Sequence, residues 1–116
     1  MLFTDIVDRL NAKVLHADEK SRDYVTACAT DMLSEILALG TEGSVLVTGL
    51  CTPQLMSTAD IVGIGAVVVV RGKNVPLDTI KKAKELDIPL AVTNLTMFSA
   101  CGVLFESGMR DVNGEG

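Results

Sequence analysis

With 116 residues, 48% of them hydrophobic and 22% charged, the chain has the size and balance of one compact domain with a filled core, unlike a disordered tail. Fifteen acidic against ten basic residues leave a net charge of -5, which excludes the broad basic face that binding a nucleic-acid backbone requires. Aromatic residues make up 3%, with no Trp and the single Tyr24, so the core is expected to be aliphatic.

The run Met1 to Asp8 carries two acids and lacks the basic-then-apolar block of a secretory signal. The longest apolar stretch, Ile64 to Val70, falls far short of the roughly 20 residues that cross a bilayer. A cytoplasmic protein with no membrane partner is the expectation.

In chain order, Phe3, Ile6, Val7 and Leu10 fall at helical spacing and predict an amphipathic helix over Phe3 to Asn11. A short extended piece, Lys13 to Leu15, follows, and His16 to Asp23 reads as a solvated loop. Tyr24 to Ala29 has the texture of a strand. Thr30 or Asp31 is placed to cap a helix carrying Met32, Leu33, Ile36 and Leu37, which Gly40 closes.

From Ser44 the chain alternates short apolar strands with helical segments, the pattern of successive βα units. The first is a strand Ser44 to Thr48 and a helix from Thr52-Pro53 to about Val62, with proline at its first position. The second is a strand Ala66 to Val70, a loop Arg71 to Asn74 and a helix Leu77 to Leu86. The third is a strand Leu90 to Thr93 and a helix Thr96 to Ser107. Gly63-Ile64-Gly65 precedes a strand and so reads as a helix stop rather than a nucleotide turn. The predicted fold is a small three-layer α/β domain over residues 1–109 with a mainly parallel sheet, and 110–116 as a flexible tail.

Continuous apolar strands such as Val67 to Val70 suit a parallel sheet covered on both faces. Right-handed crossovers then bring the three βα loops to the carboxyl edge of the sheet, where open α/β folds bind ligands. Those loops offer Thr48, Gly49 and Thr52, then Arg71, Gly72, Lys73 and Asn74, then Thr93, Asn94 and Thr96; the candidate site is Thr48, Gly49, Arg71, Gly72, Thr93 and Asn94, with Asp31 and Ser34 nearby if the preceding helix closes the site. Hydroxyls, cations and helix starts together suit a small anionic or nucleotide-like ligand, while the same Thr and Asn residues also serve as ordinary caps.

Neither a GxxxxGK[ST] loop nor a GxGxxG turn is present. Asp31 and Glu35 are spaced to share a helical face, with N-capping by Asp31 and solvation of Glu35 expected over an acid/base pair. His16, the sole histidine, reads as a surface residue. Three widely spaced cysteines, Cys28, Cys51 and Cys101, form neither a disulfide framework nor a zinc knuckle and are expected to be reduced, partly buried thiols. Convergence of Cys51 and Cys101 would instead favour a nucleophile, Cys51 standing just before a helix start. No catalytic residue, metal site or cofactor is assigned.

The run Val25 to Glu106 resembles the DRTGG domain family. The resemblance is carried by Val25 to Ser34, Gly43 to Thr48, Ala66 to Gly72, Ile88 to Thr93 and Thr96 to Ala100. It implies a fold similar to the N-terminal domain of HPr kinase and a non-enzymatic regulatory or assembly role, such domains being found beside CBS domains and within long phosphate acetyltransferases. Single-domain versions also resemble proteins encoded with iron-only hydrogenases of anaerobic bacteria, which implies an accessory role there. Arg71-Gly72-Lys73 stands where the family pattern has paired glycines, adding two cations. The alternative reading is a structural protein without a small ligand, in which the Thr52 to Val62 or Thr96 to Ser107 helix buries a homo-oligomer or partner interface.

Overall fold

A computed structural model describes residues 1–113. Its elements are α1 (Phe3–Leu10), β1 (Lys13–His16), β2 (Thr26–Ala29), α2 (Leu33–Leu39), β3 (Val45–Thr48), α3 (Pro53–Val62), β4 (Ala66–Val69), α4 (Leu77–Leu86), β5 (Leu90–Val92), α5 (Met97–Glu106) and β6 (Arg110–Asp111). The strands form one sheet in the order β1-β5-β4-β3-β2-β6. β1 runs antiparallel to β5, and the remaining neighbours are parallel.

The strands at the centre are buried on both faces because their alternate side chains feed two separate apolar cores. Leu46, Val67, Val69 and Leu90 point to one face and pack with Ile36, Leu55, Met56 and Ala83 from α2, α3 and α4. Val45, Val47, Ala66, Val68 and Val70 point to the other and pack with Ile6 and Leu10 of α1 and Ala100 and Leu104 of α5. This is the expected three-layer arrangement, and its continuous valine runs are what a strand apolar on both sides requires.

Topology explains the division of helices. The chain steps in one direction through β2, β3, β4 and β5, so crossovers of constant hand put α2, α3 and α4 on one face. After β5 it reverses, travelling back across the sheet to place β6 beyond β2, and the same hand puts α5 on the opposite face. α1 joins α5 there, its own inward stripe being Ile6 and Leu10.

Several local expectations are corrected. Arg110 and Asp111, assigned to the tail, pair with Thr26 and Ala27 as β6, because a free sheet edge beside β2 offers them backbone partners; residues 114–116 lie outside the described residues. His16 is the last residue of β1 and half-buried, its Nε2 lying 2.8 Å from Asp87 Oδ1. α2 begins at Leu33 with Met32 as its cap, since Asp31 is drawn away to the Gly49 amide; Thr30 serves the start of the helix from just outside it, its Oγ1 accepting from the Met32 amide and donating to Glu35 Oε2 at 2.8 Å. Glu35 is therefore bonded rather than merely solvated. Thr52 holds the cap position of α3 but its side chain makes no capping bond. Gly63 ends α3 at φ 84°, as its place in the sequence predicts.

Candidate functional site

Where β4 and β5 end, the chain leaves in opposite directions. The loop after β4 turns to the face of α4 and the loop after β5 to the face of α5, so the crevice between them is the topological switch point of the sheet. The two loops are laced across this point by backbone bonds: the Arg71 amide donates to Leu95 O at 2.8 Å and the Gly72 amide to Thr93 O at 2.7 Å. That lacing forces Arg71 and Gly72 into consecutive left-handed conformations, φ 65° and 58°. Glycine takes such a φ without cost, whereas Arg71 carries the strain.

A cavity of about 480 Å³ opens beside this crevice. Its apolar wall is Leu15, Val75, Leu77, Ile80 and Val92, contributed by β1, the start of α4 and β5. Its polar groups are Lys13, Lys73, Asn11, Asn74, Asn94 and the Gly72 backbone. Two lysines and three asparagines with no carboxylate is a marked selection in a chain with 15 acidic residues. Lysines supply cationic donors, and each asparagine presents both donor and acceptor. Asn94 is held against Gly72, its side-chain oxygen occupying the space that a Cβ at Gly72 would fill.

The residues expected at the site divide into three groups, with Ser34 apart from them. Gly72 and Asn94 line the cavity. Thr48 and Thr93 are fully buried and serve their own loops: Thr48 Oγ1 accepts from the Leu50 amide at 3.0 Å, and Thr93 Oγ1 accepts from the Leu95 amide while donating to Leu10 O at 2.7 Å. Asp31, Gly49 and Arg71 form a separate cluster, with the Asp31 carboxylate accepting from the Gly49 amide at 2.6 Å and the Arg71 guanidinium packed over the same glycine. Ser34 lies apart from all of these, exposed on α2.

Asp31 thus fills with its own carboxylate the position in which an anion would meet the Gly49 amide, and the anion-compatible surface lies one strand further along. Lys73 belongs to that surface, while Arg71, the other cation of its loop, does not line it. Sequence reasoning did not reach Lys13, Asn11 or Leu15, because β1 comes to β5 from 74 or more residues away in the chain, a pairing (Lys13 with Val92, His16 with Leu90) that no local pattern encodes.

The cysteines are free and wholly or partly buried, as expected, and Cys51 and Cys101 do not converge. Cys51 packs in the core under α2, α3 and α4, and Cys101 in the core under α1 and α5, so the sheet separates them. Cys28 and Cys101 instead line one small cavity of about 180 Å³ with Leu104, Phe105 and Met109. Burial raises both thiols above the ordinary cysteine value; at Cys28 the effect of Ser44 opposes this, and Asp111 and Cys101 add to it. A raised thiol pKa works against nucleophilicity. Among the described residues no group of three His, Cys, Asp or Glu side chains is placed to hold a metal ion, and no helix is long and apolar enough to cross a membrane.

Among solved structures the chain is similar to the CBS and DRTGG domains of the regulatory region of Clostridium perfringens pyrophosphatase, complexed with its activator, diadenosine tetraphosphate. The TM-score is 0.75 at 17% sequence identity. The fold is DRTGG-like. The match covers 92% of this chain and 47% of that one, so the chain spans about half the length of its structural neighbour. No family model matches the sequence, and no curated protein matches it.

Proposed function

We propose that this DRTGG-like domain is a non-enzymatic regulatory module that binds a small anionic, nucleotide-like ligand in the cavity at the carboxyl ends of β4 and β5. The observation that carries the reading is the lining of that cavity. An apolar wall suits a base or other flat apolar group, the asparagines suit its polar edge, and Lys13 and Lys73 suit a phosphate or carboxylate. The regulatory region to which the fold is similar was solved with a dinucleotide activator, which supports a ligand of this class. An accessory role beside an anaerobic hydrogenase, implied by the family resemblance, is compatible with such a module.

A thermal-shift panel of mono- and dinucleotides, inorganic phosphate and dicarboxylates tests the reading. At a free concentration about 100 times Kd, a ligand stabilises the folded state by about 2.7 kcal/mol, a Tm rise on the order of 10 °C for a domain of this size. Replacing Lys13 and Lys73 together with alanine is expected to weaken binding at least about tenfold. Ser34→Ala is expected to leave it unchanged. A panel in which no compound raises Tm, or a shift that survives the double lysine variant, contradicts the proposal.

A further inference from the structure

The outward face of α5 has a composition that the monomer does not explain. Its exposed residues are Phe98, Ser99, Gly102, Phe105 and Glu106, at helical spacing, while Ala100 and Leu104 point into the core. Phe98 is 88% exposed and Phe105 50%. Between the two rings lies Gly102, and a methyl group added there would touch nothing within 4 Å. Glycine in the middle of a helix costs up to about 1 kcal/mol relative to alanine, and within a single copy neither a close approach nor a turn recovers that cost.

From this face we infer that α5 is the contact surface for a second copy of the chain, the two α5 helices crossing antiparallel about a two-fold axis at Gly102. The face is complementary to itself in that arrangement. Gly102 meets Gly102 of the other copy, so the backbones approach closely. Phe105 of each copy comes opposite Ser99, beside Phe98, forming two aromatic pairs related by symmetry. The charges also match: Glu106, the one charged residue among these five, comes opposite residue 98 of the other helix, at its N-terminal turn, while the Arg110 guanidinium over the Phe105 ring, 4.7 Å from its centroid, borders the face and adds no carboxylate to it. There the amides of Met97 and Phe98 have no partner within their own helix and the helix dipole is positive. In a chain of net charge -5, this face brings only one carboxylate from each copy, and each is met by a helix N-terminus. The inference does not depend on the ligand proposal, since none of these five residues lines the β4–β5 cavity.

Sedimentation equilibrium of the purified chain, from low micromolar to about 100 μM, reads the association directly. The wild type is expected to form dimers in this range. Phe98→Glu, which sets a second carboxylate opposite Glu106 of the other copy, is expected to weaken the dimer at least about 30-fold, and Gly102→Gln to do likewise by blocking the close approach. The double variant Phe98→Glu with Glu106→Lys is expected to recover most of the association by restoring opposite charges at that pair. All substituted side chains face solvent in one copy, so far-UV circular dichroism is expected to show every variant folded. A wild type that remains monomeric at the highest concentration overturns the inference. So does a dimer that survives both single substitutions, and a double variant that stays monomeric overturns the antiparallel register.

Discussion

Tyr24 is the only residue of its kind in the chain, and it is buried with its hydroxyl donating to the Gly65 carbonyl at 3.0 Å. The contact is tight: a Cβ at Gly65 would lie 2.7 Å from the Tyr24 ring and 2.9 Å from the Gly43 carbonyl, so only glycine fits at 65. Tyr24→Phe leaves that carbonyl without the hydroxyl and is expected to cost about 1 kcal/mol in chemical denaturation. Burial, reinforced by Asp18 and opposed by Arg22, raises the phenol above its ordinary value. The unfolded chain therefore loses this proton first as pH rises, so the tyrosine's contribution is complete below about pH 10 and is lost above it. Cys28 and Cys101, also raised by burial, act in the same direction from about pH 8.5 upward. Stability is expected to fall on the alkaline side, and more gently in Tyr24→Phe; a Tm flat to pH 11, roughly one unit above the tyrosine value, contradicts this. None of it was legible in the sequence, where Tyr24 read only as the start of a strand 41 residues before its partner.

Elements were more legible than residues, and the boundaries that moved have identifiable causes. The helix Leu77–Leu86 lies where the sequence predicts it, its ends closed by local backbone bonds from the Thr79 and Ile80 amides to Pro76 O and from the Asp87 and Ile88 amides to Lys84 O and Ala83 O. The start of α2 moved because tertiary bonds outcompete local capping: Asp31 serves the buried Gly49 amide across the β2–β3 edge instead of its own helix. Removing that acceptor in Asp31→Ala is expected to destabilise the fold by about 1–2 kcal/mol, with Asp31→Asn recovering much of it, since the amide oxygen can still accept. Equal denaturation midpoints for the wild type and the alanine variant would show that the bond contributes nothing. β6 was invisible for a related reason. Two residues carry no periodic signal, and Arg110 and Asp111 become a strand only because β2 lies exposed beside them. The guanidinium of Arg110 over the Phe105 ring, 4.7 Å from its centroid, further ties this short strand to α5.

At the scale of the molecule, composition and alternation predicted the layers, while strand order had to come from structure, since pairing is long-range and leaves no local mark. The difference decides where function is sought. All three βα loops were expected to share one site, and they do lie side by side at the carboxyl ends of the adjacent strands β3, β4 and β5, but the cavity draws on only the second and third: the reversal after β5 makes β4–β5 the switch point, and Asp31 occupies the neighbouring position at Gly49. The cavity then draws residues from three parts of the chain, 11–15, 72–80 and 92–94, of which Gly72, Lys73, Asn74 and Asn94 of the second and third were anticipated and the first was not. It also adjoins the path to α5, because Asn94 stands two residues before the Thr96 cap. A ligand on Asn94 and an α5–α5 contact would therefore share one short loop, a route by which occupancy of the cavity can bias association.

The most direct test of the central claim is a two-dimensional amide NMR titration of the chain with the ligand that gives the largest thermal shift, or with diadenosine tetraphosphate if the shifts are equal. The account predicts that the amides of Asn11, Lys13, Gly72, Lys73 and Asn94 move together and saturate, while those of Gly49 and Ser34 stay in place. Saturating shifts centred on Asp31, Ser34 and Gly49, with the β4–β5 loops unmoved, would contradict it.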